Sequence, residues 1–120
     1  KNKGDYEETL SLLKELDIKY CFQEIGLQYA KTLYNYTFKD INEKEYKEIL
    51  SSLKELDEKH DYQEIGLRYA KSLFGFSLKQ KNKGDYEETL SLLKELNKKY
   101  DYNEITYLYL KKLSKSYLVL

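Results

Sequence analysis

The chain has 120 residues, which is the length of one domain and enough to bury a hydrophobic core without a metal or a disulfide. Its 21 basic residues balance its 21 acidic residues, and every basic residue except Arg68 is a lysine. This balance leaves no bulk charge to attract nucleic acid or an anionic membrane. Because no apolar run could span a bilayer and no signal peptide opens the chain, we expect a cytoplasmic protein.

The first helical pattern begins near Asp5. Tyr6, Leu10 and Leu13 follow at spacings of three and four, which is typical of an amphipathic helix. We expect Asp5 to cap this helix, with the Glu8 side chain bonding back to it.

The second pattern follows a short turn, and its apolar stripe consists of Phe22, Ile25, Tyr29, Leu33 and Tyr36. The turn holds Cys21 where later parts of the chain have Asp61 and Asp101. We expect these two aspartates to be the N-caps of their helices, and the cap at Cys21 to be the weaker one.

Both patterns recur twice more without a gap. Lys1–Leu16 reappears letter for letter as Lys81–Leu96, and a period of 40 residues is typical of repeat architectures. The sequence therefore predicts an all-α protein, a single domain of residues 1–120 made of the repeats 1–40, 41–80 and 81–120. We expect an α-solenoid of three helix-turn-helix repeats whose six antiparallel helices lie near 5–18, 22–37, 44–58, 62–77, 84–98 and 102–117.

Two glycines lie inside second helices. Gly26 and Gly66 each cost about 1 kcal/mol relative to alanine, so we expect the backbone of the neighbouring helix to approach closely there. The third repeat has Thr106 at this position, which predicts a different packing of the last helix.

The segment Lys3-Gly4-Asp5-Tyr6-Glu7-Glu8 and its copy from Lys83 resemble the turn into helix B of a tetratricopeptide repeat. Glu15-Leu16-Asp17 is similar to the closing segment of that helix. The resemblance covers the whole chain, in an enlarged unit, and implies a tetratricopeptide-like superhelix. Armadillo and HEAT repeats of similar length remain alternatives.

This resemblance implies that the second helices line a concave face that binds a peptide. The residues it places there are Leu27, Gln28, Lys31, Tyr34, Asn35, Leu67, Arg68, Lys71, Phe74, Tyr107, Leu108 and Lys111. Lys31, Lys71 and Lys111 recur at one register, which favours an acidic peptide as the ligand. Solvation of a charged surface is the alternative reason for these lysines.

The sequence offers no constellation for catalysis. His60 is the only histidine and stands where the other repeats have Tyr20 and Tyr100, so we interpret it as a packing or surface residue. Cys21, the only cysteine, is interpreted as a turn residue. We therefore expect no catalytic residue, no metal site and no cofactor.

Two functions remain. The first is a non-catalytic scaffold that binds a protein or peptide on the concave face. The alternative is a structural module, compatible with an engineered repeat array, that self-associates through its apolar last helix. That helix ends Tyr117-Leu118-Val119-Leu120.

Overall fold

The computed structural model describes residues 3–79 and 83–118. They form six α-helices and contain no strand, so the all-α prediction is confirmed. The helices are α1 (Lys3–Tyr20), α2 (Gln23–Tyr36), α3 (Glu43–His60), α4 (Gln63–Lys79), α5 (Lys83–Lys99) and α6 (Asn103–Leu118). Every helix lies within three residues of its predicted bounds.

The turns between helices correct the predicted caps. α1 begins at Lys3, so Asp5 lies within its first turn instead of preceding it. Asp61 is the C-cap of α3, in the left-handed conformation with a φ of 47°, and its N–H donates to the carbonyl of Asp57. The predicted N-caps are therefore one residue too early: the N-cap of α2 is Phe22, which makes no side-chain cap bond, and Asp101 stands two residues before α6 begins.

α3 has a cap that the sequence reading missed. The Asn42 side chain accepts from the backbone N–H of Glu45 at 2.8 Å, and the Glu45 carboxylate accepts from the N–H of Asn42 at 3.4 Å. This reciprocal pair is a capping box, which satisfies two donors at the start of the helix.

The chain divides into two compact units, Lys1–Tyr69 and Ala70–Leu120, with the division inside α4. In unit 1, α2 packs against both α1 and α3. Its buried apolar residues include Leu33, Leu53 and Ile65. Ala30 is fully buried, which fits a helix packed on both sides.

In unit 2, α5 packs against α6. Leu73 of α4, Leu93 of α5 and Ile105 of α6 are buried. Tyr107 is 62% exposed and Leu110 is 51% exposed, so one face of α6 presents apolar side chains to solvent. The predicted apolar ending Tyr117-Leu118-Val119-Leu120 lies outside the side chains that the structure describes.

Candidate functional site

The predicted peptide-binding residues of unit 1 lie on α2 and on the first two turns of α4. Gln28 and Asn35 are exposed, while Leu27, Lys31, Tyr34 and Arg68 are half-buried. Leu67 is only 2% exposed and belongs to the core, so its inclusion in a binding surface was wrong. Its neighbour Arg68 faces outward because adjacent helical residues point about 100° apart.

Arg68 contacts an aromatic side chain. Its guanidinium carbon lies 5.9 Å from the ring centroid of Tyr34, within the range of a cation–π interaction. Phe38 packs edge-on against Tyr34, with ring centroids 5.1 Å apart. Phe38 is 71% exposed and extends this aromatic surface beyond the end of α2, and the sequence reading did not include it.

In unit 2, the predicted residues lie on the later part of α4 and on α6. Lys71, Phe74 and Leu108 are half-buried, whereas Tyr107 and Lys111 are exposed. The Lys111 ammonium lies 5.5 Å from the ring centroid of Phe74 and 5.7 Å from that of Tyr107. The lysine is thereby held beside two aromatic rings.

A surface cleft of about 340 Å³ opens between these two helices of unit 2. Its walls are Lys71 on α4 and Asn103, Glu104, Tyr107 and Leu108 on α6. Three of these five residues are among those predicted from the sequence. The cleft combines an apolar wall of Tyr107 and Leu108 with one cation, Lys71, and one carboxylate, Glu104. An acidic group of a ligand is therefore attracted only on the side of the lysine, with its apolar stem on the two α6 side chains.

Beneath this surface lies a lysine that the sequence reading missed. Lys112 is 2% exposed, and its ammonium lies 4.0 Å from the ring centroid of Tyr86 and 5.9 Å from that of Phe74. The Tyr86 hydroxyl donates to the Lys112 carbonyl at 3.1 Å. The one available signal was that Lys112 stands where the earlier repeats have Thr32 and Ser72.

A group of three ionisable side chains meets in unit 1, where α1 ends. Asp17 is buried, and its two carboxylate oxygens accept from His60 Nε2 at 2.7 Å and from Lys59 Nζ at 2.9 Å. Lys59 also donates to the Asp17 carbonyl at 3.0 Å. The hydrogen bond to the carboxylate raises the pKa of Lys59 above its ordinary value of 10.5, and burial opposes this shift.

The His60 ring covers Gly26 of α2. A Cβ at position 26 would stand 2.5 Å from His60 Nε2 and 2.7 Å from Cδ2, closer than such atoms approach. The close backbone approach expected at Gly26 is therefore wrong, because a side chain of the second repeat, His60, fills the space. The interpretation of His60 as a packing residue is consistent with a side chain only 3% exposed, although the sequence did not indicate its hydrogen bond with Asp17.

The hydrogen bonds of Asp17 with Lys59 and His60 connect α1 to α3. His60 Nε2 is already bonded to Asp17, and its side chain is closed to solvent, so a substrate has no access to it. Cys21 is exposed in the turn after α1, with a φ of 54° and its N–H bonded to the Asp17 carbonyl at 2.9 Å. Among the described residues, no three His, Cys, Asp or Glu side chains stand where they could hold a metal ion.

Comparisons with models of protein families, with curated proteins and with solved structures gave no match. Within residues 3–79 and 83–118, no helix is both long and apolar enough to cross a membrane.

Proposed function

We propose that the chain is a tetratricopeptide-like α-solenoid of three repeats with antiparallel helices. The period of 40 residues and the presence of two helices in each period support this proposal. So does the packing of neighbours in the sequence, α1 with α2, α2 with α3 and α5 with α6.

For its function, we propose a non-catalytic scaffold that binds an acidic peptide segment of a partner protein through the cleft of unit 2. The observation that carries this proposal is the cleft itself, in which Lys71 stands opposite Tyr107 and Leu108. Lys111 adds a second cation beside the Tyr107 ring. A peptide that alternates apolar and acidic side chains can bury the former and place the latter near the two lysines.

The test is an NMR titration of the labelled chain with an acetylated, amidated peptide of sequence Glu-Ala-Leu-Glu-Ala-Leu-Glu. Binding should shift the amide signals of α4 after Ala70 and of α6. Charge reversal of both lysines, Lys71→Glu with Lys111→Glu, should weaken binding about tenfold, because two ion pairs become repulsions.

The matched control is Lys94→Glu with Lys98→Glu, two exposed lysines of α5 that lie outside the cleft. This variant has the same net charge and should bind within about twofold of the parent, since distant charges are screened. An equal loss in both variants would show that only overall charge matters and would remove the proposal.

Self-association is the second candidate, and the exposed side chains of Tyr107 and Leu110 favour it. They lie three residues apart and so share a face of α6. Sedimentation over a concentration series separates the two functions. Concentration-dependent dimers that Tyr107→Ser with Leu110→Ser abolishes would favour assembly, and a monomer at all concentrations would favour peptide binding.

A further inference from the structure

Unit 1 carries a cleft of the opposite character, between α1 and α3 with α2 as its floor. It has a volume of about 340 Å³. Tyr29, Leu33 and Tyr36 of α2 line the floor, and Leu10 and Ile49 contribute apolar walls. The floor is firmly held, because Tyr29 and Tyr36 are both buried.

Carboxylates line the rim of this cleft. Glu7 of α1 stands on one side, with Glu45 and Glu48 of α3 on the other, and no lysine, arginine or histidine is among the lining residues. The Tyr36 hydroxyl lies 3.4 Å from both Glu7 Oε1 and Glu45 Oε2. Three carboxylates around an apolar floor make a site whose charge is complemented by a cation with an apolar stem.

A lysine of the chain, Lys39, already places its ammonium group beside this cleft. The Tyr6 ring stacks on Tyr36, with centroids 5.3 Å apart and planes at 11°. Lys39 places its ammonium 5.4 Å from the centroid of Tyr6, on a ring that is itself stacked on the cleft floor. Lys39 does not line the cleft, so it leaves space for a second cation beside Glu7 and Glu48.

Carboxylates of two repeats form the acidic rim, Glu7 of the first and Glu45 and Glu48 of the second. At the position of Glu7 the second repeat has Lys47, whereas the third repeat keeps the acid as Glu87. The second repeat thus has a base where the first and third have an acid.

We propose that the cleft of unit 1 is a second binding site, for a lysine-bearing amphipathic segment of a partner protein. Lysine ammonium groups meet Glu7 and Glu48 at the rim, and the apolar side chains between them pack against Leu10, the half-buried apolar residue of the cleft wall. This site is independent of the acidic-peptide site in unit 2, so either one can exist without the other.

The experiment is an NMR titration of the full chain with the acetylated, amidated peptide Lys-Ala-Leu-Lys-Ala-Leu-Lys. We expect shifts at Leu10, Leu33 and Ile49, and weaker binding as salt is raised from about 0.05 M to about 0.5 M. Glu7→Gln with Glu48→Gln should weaken binding about tenfold, because two ion pairs are lost and the side-chain shape is kept.

Glu8→Gln with Glu58→Gln is the matched control, since these residues are exposed, lie on the same two helices and stand outside the cleft. Binding of this variant within about twofold of the parent supports the site. An equal loss in both variants, or shifts confined to α6, overturns the proposal. Displacement of the lysine peptide by the acidic peptide of unit 2 also overturns it, because the two sites would then be one.

Discussion

Each repeat has a corner, where the end of its first helix meets the start of its second. The first and third repeats fill this corner with different side chains. In the first repeat the corner holds Asp17 and Gly26, and His60 of the second repeat fills it. In the third repeat the equivalent residues are Asn97 and Thr106. There the Thr106 hydroxyl donates to Asn97 Oδ1 at 2.6 Å, a bond between two side chains of the same repeat.

This difference explains why a glycine stands in the first turn of α2. A helix-interior glycine costs about 1 kcal/mol relative to alanine. At position 26 the absent Cβ makes room for the imidazole, which satisfies a buried carboxylate. In the third repeat, Thr106 occupies that position and pairs with Asn97, so a hydrogen bond within one repeat replaces a hydrogen bond between two repeats.

Removing the imidazole should have the largest effect on stability. His60→Ala leaves a cavity over Gly26 and takes one partner from the buried Asp17 carboxylate, so we expect the free energy of unfolding to fall by about 3 kcal/mol. Urea denaturation measures it. Lys59→Ala is the matched control, because this neighbour also bonds Asp17 but its side chain is 34% exposed, and we expect it to cost about 1 kcal/mol or less. A larger loss in the lysine variant would contradict our view of the corner.

The corner of the third repeat should be less sensitive. Thr106→Val keeps the shape and removes the bond to Asn97, so we expect a loss of about 1 kcal/mol in the same denaturation experiment. Thr32→Val is the control, since the Thr32 hydroxyl bonds only the Gln28 carbonyl of its own helix at 2.8 Å. Equal losses in the two variants would mean that the bond to Asn97 adds nothing.

A smaller effect, of opposite sign, is expected at the turn after α1. Cys21 has a φ of 54°, a left-handed conformation that strains a side chain with a Cβ. Cys21→Gly should therefore raise the melting temperature, and we expect the free energy of unfolding to increase by about 0.5–1 kcal/mol. Asp61→Gly, at a φ of 47°, should gain less because aspartate tolerates this conformation better. A loss in the Cys21 variant would show that its thiol contributes more than the strain costs.

The smallest effect on stability is expected only at alkaline pH. Burial is the main cause that raises the pKa of Tyr29 and of Tyr46 above 10.0, and the bond to Asp17 raises that of Lys59. A group whose pKa is raised by folding stays protonated to a higher pH in the folded state than in the unfolded state. Its contribution to stability is therefore lost as the pH rises through the folded pKa. The melting temperature should hence fall above about pH 10.

Tyr46→Phe should make this alkaline fall shallower than in the parent. Tyr20→Phe, which changes an exposed ring, should leave its slope unchanged. Melting temperatures recorded between about pH 8 and about pH 11 decide the matter, and identical slopes in all three proteins would contradict the burial argument.

The helices could be predicted because their signal is local. Apolar spacing within each 40-residue period placed all six helices, since it depends on neighbours three and four residues apart. The capping residues could not be predicted as well as the helices. An aspartate in a two-residue turn can cap the end of one helix or the start of the next. Asp61 ends α3, whereas the capping box of Asn42 and Glu45 was visible in the sequence and was overlooked.

The pairing of Asp17 with His60 could not be predicted from local pattern. The two residues are 43 positions apart, and each belongs to a different repeat. Gly26 led to the prediction of a close backbone approach, whereas the His60 side chain fills the space. Leu67 was misplaced for a related reason: the resemblance gave its helix a binding face, while the rotation of α4 buries that residue.

The most direct test is a thermodynamic cycle that combines Gly26→Ala with His60→Ala. In the parent, we expect Gly26→Ala to lower the free energy of unfolding by about 2 kcal/mol, because the new Cβ meets the buried ring. With His60 already replaced, the same change should be neutral or should stabilise by up to about 1 kcal/mol, as alanine favours the helix. An equal cost of Gly26→Ala in both backgrounds would contradict the claim that this glycine exists to accommodate His60.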